Sequence, residues 1–219
     1  MGLTKNNFYK KPEYTIEISF DDGGKLDLKA AELLKKYDIK GTFYIVLDWI
    51  GTKGHLNWED IKRLDKEGHK IGSHSMTHPQ DLKMLYDEQL HYEIQNSKDI
   101  LETALGHNIT SFCYPRGRAD ERIKSKVVQA GYINARGTGK PGITKIDNSF
   151  YLPGTIHIFQ RSEYEGVPVL DYAKKVIDKV FKEGGYCNVW GHSAELEKWG
   201  LWGVLEDVLK YVSEKRKEK

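Results

Sequence analysis

The chain has 219 residues, 39% hydrophobic and 30% charged, with 34 basic against 32 acidic side chains and a net charge of +2. That length suits one domain with a real core, and so balanced a charge with no basic stripe argues against nucleic acid as a partner. No apolar run reaches the ~18 residues of a membrane span, and two cysteines, Cys113 and Cys187, read as buried thiols rather than a disulfide framework.

A single domain over residues 1–219 is expected, with its motif-bearing core at about 14–212. Met1 to Tyr14 is polar and lacks a secretory core. The expectation is a cytoplasmic chain, or an extracellular one if a signal segment has been removed.

Tyr14 to Phe20 alternates with period two and predicts a strand. Leu26, Ala30, Leu33, Leu34 and Tyr37 recur at helical spacing. Thr42 to Leu47, β-branched and aromatic, predicts a second strand. Trp58 to Glu67 is a short helix capped at Gly68, and His69 to Gly72 a third strand. Tyr86 to Leu105 is the longest predicted helix and stops at Gly106. Ile109 to Tyr114 is a strand closed by Pro115. A helix over Ala119 to Ala130 and a strand over Tyr132 to Ala135 follow. Gly137 to Gln160 reads as a long irregular loop with short strands. Val169 to Phe181 is amphipathic, Tyr186 to Trp190 is a strand, and Leu201 to Val212 is the last helix. This alternation implies a parallel α/β architecture. About seven strand-helix units point to a distorted, incomplete (β/α)7 barrel, with an open doubly wound sheet as the alternative.

In such folds chemistry sits at the C-terminal ends of the strands. Asp21-Asp22-Gly23 follows the first strand, His74-Ser75-Met76-Thr77-His78 the third, and Gly191-His192-Ser193 the late strand at Tyr186. Taken singly, each has a plainer reading: a turn, two surface histidines, a hydrogen-bonded core histidine. Together they hold more. Two imidazoles and one carboxylate make an open metal site that keeps a position for water. The other Asp and the remaining His are left to serve as base and acid, which completes the kit for metal-assisted hydrolysis of an amide or ester. His55, His69, His91, His107 and His157 receive no role.

Ser19-Phe20-Asp21-Asp22-Gly23 resembles the first motif of the polysaccharide deacetylases (carbohydrate esterase family 4, the NodB homology domain). His74-Ser75-Met76-Thr77-His78 is similar to that family's second motif, and Gly41 to Tyr44 and Gly68 to His74 read like its flanking sequence. The resemblance implies Asp21 as general base, Asp22, His74 and His78 as metal ligands, and His192 as acid. It implies one divalent ion, zinc first, with cobalt or manganese as alternatives. Trp190 stands where the family more often has Leu, placed to line an acetyl pocket or stack on a sugar ring.

The third motif departs from the family pattern. Phe112-Cys113-Tyr114-Pro115-Arg116-Gly117 has Cys113 where the family places an Arg that steadies the base, and Arg116 where it places Tyr. Tyr114, Pro115 and Arg116 are the expected oxyanion and substrate contacts, with the Arg116 N–H as donor. Arg136 is the candidate to replace the missing Arg, against an ordinary surface role. Asp147 lies where a fourth motif would supply a carboxylate for His192, but lacks that motif's Trp. The implied activity is removal of N-acetyl groups from a chitin- or peptidoglycan-type saccharide. The rivals are allantoinase-like hydrolysis of a small amide and a catalytically impaired sugar-binding module. The expected partner is therefore a saccharide or small amide, with oligomeric state open.

Overall fold

The computed structural model describes residues 13–138 and 149–218. Seven strands form one sheet: β1 (Tyr14–Phe20), β2 (Thr42–Ile45), β3 (Lys70–Ser73), β4 (Ser111–Cys113), β5 (Asn134–Arg136), β6 (Ile156–His157) and β7 (Gly185–Gly191). Their order is β5-β4-β3-β2-β1-β7-β6, and every pairing is parallel. That is the cyclic order of a barrel cut open between β5 and β6. The sheet is accordingly a curled half-barrel with helices around it, the incomplete (β/α)7 form. At the cut, residues 149–152 run beside β5, with Leu152 N–H donating to Ala135 O (2.8 Å).

The described residues form eight α-helices: α1 (Asp27–Lys36), α2 (Trp58–Lys66), α3 (Asp87–His91), α4 (Ser97–Leu105), α5 (Glu121–Gln129), α6 (Val169–Glu183), α7 (Ser193–Lys198) and α8 (Trp202–Lys217). Their apolar stripes face the sheet, as Ala30, Ala31 and Leu34 of α1 and Ala173, Ile177 and Val180 of α6 show. Asn57 and Asp60 close a reciprocal capping box on α2, satisfying backbone donors that the helix start leaves unpaired. β1 and β7 pair residue for residue from Tyr14–Gly185 to Phe20–Gly191, so their C-terminal ends finish side by side. Both cysteines are free and buried.

Three elements differ from the periodicity. The helix expected over Tyr86 to Leu105 is α3 and α4 joined by a π turn at Tyr92–Asn96, whose Glu93 is buried. β6 is a two-residue strand inside the stretch read as irregular, too short to show a period. α7 follows β7 immediately and is a single six-residue turn structure with little apolar pattern of its own.

Candidate active site

The ends of β1, β3, β4, β5, β6 and β7 bring Asp21, His74, Cys113, Arg136, His157 and His192 to one rim. A cavity of about 510 Å³ opens there, lined by Asp21, Asp22, His74, His78 and His192 among others.

Two adjacent aspartates serve different neighbours because the chain turns between them. Asp21 N–H still donates to Gly191 O (3.1 Å), as if β1 continued. Asp22 then takes a left-handed backbone (φ 77), and Gly23 another (φ 67). A non-glycine residue there costs on the order of 1–3 kcal/mol, held in place by the packed sheet.

Asp22 faces two imidazoles. Its Oδ1 lies 3.6 Å from His74 Nε2 and 3.8 Å from His78 Nε2. The His74 to His78 loop is fixed by its own polar residues and by the π turn. Ser75 N–H donates to Ser73 Oγ (3.1 Å), and His78 N–H to Ser75 Oγ (3.1 Å). Glu93 accepts from Met76 N–H, Thr77 N–H and Thr77 Oγ–H. His74 Nδ1–H donates to the Cys113 carbonyl (2.8 Å), which leaves the lone pair on Nε2, toward Asp22. Burial lowers the pKa of His74, and burial with the neighbouring His74 charge lowers His78 to about 4. Both rings are neutral at pH 7, the form that binds metal.

These three residues fit a divalent ion. Among the described residues, Asp22 Oδ1 is buried without a hydrogen-bond partner. It and two neutral nitrogens converge at distances too long for hydrogen bonds and short enough to share a cation.

Asp21 faces Arg136. The guanidinium is 1% exposed and forms a buried ion pair from Nη2 to Asp21 Oδ1. The same nitrogen reaches Cys113 Sγ at 3.0 Å. Burial alone would push the Asp21 carboxyl up; the Arg136 charge, with His74 and His192, outweighs it and holds it at about 2. A cation therefore enters from β5 while the β4 position carries only a thiol. Arg136 is sandwiched between the Tyr44 and Trp190 rings, at 5.3 and 5.0 Å.

His192 caps α7. Its Nδ1–H donates to Glu195 Oε2 (2.9 Å), and its Nε2 lies 3.8 Å from Asp22 Oδ2. Burial opposes protonation, but the Glu195 hydrogen bond and the Asp21 and Asp22 charges raise its pKa to about 9. Glu195 in turn is held well below the usual carboxylate range by hydrogen bonds from His157 and His192. Asp147, the carboxylate considered for His192, lies outside the described residues.

The third-motif residues divide. Pro115 opens a tight 3-10 turn, and Arg116 sits in it with φ 56, exposed and lining the cavity. The Tyr114 side chain is turned away: it is buried, and its hydroxyl donates to Phe150 O (2.9 Å). Its hydroxyl is therefore committed to the backbone, while the residue still lines the cavity. Trp190 lines the cavity but is 6% exposed, with His157 stacked 4.1 Å from its centroid and Arg136 over its ring. With so little of the ring exposed, lining the cavity is the role its packing accommodates more readily than stacking on a sugar.

Sequence reasoning missed Glu195, Glu93 and His157. Glu195 carried a usable signal, three residues after His192 where one helical turn brings side chains together. Glu93 and His157 carried none, because a π turn and a two-residue strand leave no periodic trace.

A family model described as polysaccharide deacetylase matches residues 9–135. The chain is 33% identical over 144 residues to YxkH of Bacillus subtilis, covering 65% of this chain and 51% of that one. It is 30% identical over 123 residues to the peptidoglycan-N-acetylmuramic acid deacetylase PdaA of the same organism, covering 55% and 45%. The chain thus spans about half the length of these relatives. The chitin deacetylase of Colletotrichum lindemuthianum superposes with a TM-score of 0.65 at 18% identity, over 90% of this chain and 82% of that one, a likeness of fold. With more than half of its length matched, through both motifs that carry the aspartates and the paired histidines, the chain belongs to the polysaccharide deacetylase family.

Proposed function

We propose that the chain is a metal-dependent hydrolase that removes N-acetyl groups from a chitin- or peptidoglycan-type saccharide. The observation that carries the reading is the convergence of the His74 and His78 nitrogens on Asp22 Oδ1, which has no hydrogen-bond partner among the described residues, with Asp21 and His192 beside it. Family membership and relatives such as the peptidoglycan deacetylase PdaA support it.

A divalent ion on Asp22, His74 and His78, zinc by donor chemistry, would polarise water and the acetyl carbonyl. Asp21, held ionised by Arg136, takes a proton from the attacking water. The Arg116 N–H, presented by its left-handed turn, donates to the developing oxyanion. His192 gives its Nε2 proton to the departing nitrogen, while Glu195 stabilises the imidazolium through Nδ1–H.

The test is acetate release from N-acetylglucosamine oligomers, peptidoglycan fragments and small amides, with zinc, cobalt or manganese added. Metal-dependent acetate from the saccharides supports the proposal. Turnover of small amides alone would move the activity to the allantoinase-like class, and saccharide binding without acetate would leave a binding module.

A pH profile probes the acid. His192 must hold its proton, so turnover falls on the alkaline side as the imidazolium is lost. A bound ion repels that charge and brings the limb below 9. In Glu195→Gln the carboxylate that favours the imidazolium is gone, so the alkaline limb moves to lower pH while the acid limb stays. An unmoved alkaline limb would remove His192 from the acid role.

A further inference from the structure

His157 stands at the end of β6, with its ring 5% exposed and parallel to Trp190 within 19°. One hydroxyl clamps its backbone: His157 N–H donates to Tyr164 Oη (2.8 Å), and Tyr164 O–H donates to His157 O (2.9 Å). The imidazole is therefore held before its polar edge is considered.

Among the described residues each ring nitrogen has one hydrogen-bonding neighbour. Nδ1 faces Arg161 Nη1 at 3.5 Å, and a guanidinium only donates, so Nδ1 carries the lone pair. Nε2 then carries the proton and donates to Glu195 Oε2 (3.1 Å). Burial favours the neutral ring, which has one such tautomer. The same Oε2 accepts from His192 Nδ1–H at 2.9 Å. The order is Arg161 to His157 to Glu195, with His192 donating from the other side.

These lengths separate the cluster from an ion site. At 2.9 and 3.1 Å each gap is filled by a proton. Around Asp22 Oδ1 the gaps are 3.6 and 3.8 Å and the oxygen has no donor among the described residues.

We propose that His157 is a positioning residue, whose Nε2–H holds Glu195 where that carboxylate keeps His192 Nδ1 protonated and turns His192 Nε2 to the cleft. This rests on the reading of His192 as proton donor and extends it to β6. Glu195 is partly exposed, at 38% of its side chain, and one bond from His192 leaves it a choice of rotamers. The second bond, from a buried and clamped ring, removes that choice.

The test compares His157→Phe, which keeps a ring against Trp190 without a donor, with His157→Gln, whose amide N–H replaces Nε2–H. Phe should lower kcat about 10-fold with KM within about twofold, the scale of losing an outer hydrogen-bond partner. Gln should recover most of the loss. Metal content should match the parent in both. Nitrogen-15 NMR of the imidazoles, recorded on the alkaline side where the His192 ring is neutral, should show His192 with Nδ1–H in the parent and a mixture of tautomers in Phe. Parent-like kcat in Phe, or equal loss in Phe and Gln, would overturn the proposal. If Phe fails to fold, His157→Met, an unbranched side chain with no donor, takes its place, with the same kcat and NMR results expected and the same results overturning the proposal. If the parent itself releases no acetate, the proton-donor reading fails, and the NMR comparison alone decides whether His157 orders His192.

Discussion

Asp21→Asn is expected to lower kcat by about 10²–10⁴-fold, the range of a general base, while metal content stays at the parent level. The substitution keeps shape and leaves Asp22, His74 and His78 untouched. An amide cannot take the proton from water. It also loses the charge that Arg136 pairs with, so some stability is lost as well. Metal analysis beside single-turnover kinetics separates the two effects. Turnover within threefold of the parent would assign the base elsewhere, and loss of metal would mean that Asp21 is a ligand.

Arg136→Met should act on both stability and rate. It leaves the Asp21 carboxylate buried with its main compensating charge removed, which costs about 3 kcal/mol. In the parent Asp21 titrates at about 2, below its ordinary 3.8. Its ionised form therefore stabilises the fold above about pH 4, and that contribution is lost as pH falls toward 2. In Arg136→Met the carboxyl rises with burial unopposed, so the acid limb of the rate profile moves to higher pH. Denaturation curves at pH 7 and pH 2 check the first part: the gap between parent and variant should be wide at pH 7 and should narrow at pH 2. An unshifted acid limb would deny Arg136 its hold on the base.

The same residue shows how far the chain could be read without coordinates. The barrel was legible because six of the seven strands, all but β6, read as strands between helical stripes such as that of α6. The two aspartates and the paired histidines were legible as motifs placed directly after strands. Arg136 was legible only as a candidate, since nothing local to β5 says that its side chain crosses beneath Trp190 to reach β1. Glu195 and His157 meet across 38 residues, and Glu93 reaches back 16 to Thr77. Such partners are set by tertiary packing, which leaves no spacing rule in sequence. Trp190 was legible as a residue lining a pocket, and it lines the cavity, but its packing against His157 and Arg136 was hidden for the same reason.

The central claim is that Asp22, His74 and His78 share one divalent ion beside Asp21. Calorimetric titration of metal-stripped protein with zinc tests it most directly. The account predicts one tight equivalent in the parent and in Asp21→Asn, and no tight equivalent in Asp22→Asn or His74→Ala. A parent that takes up no zinc, or ligand variants that bind it as tightly as the parent, would contradict it.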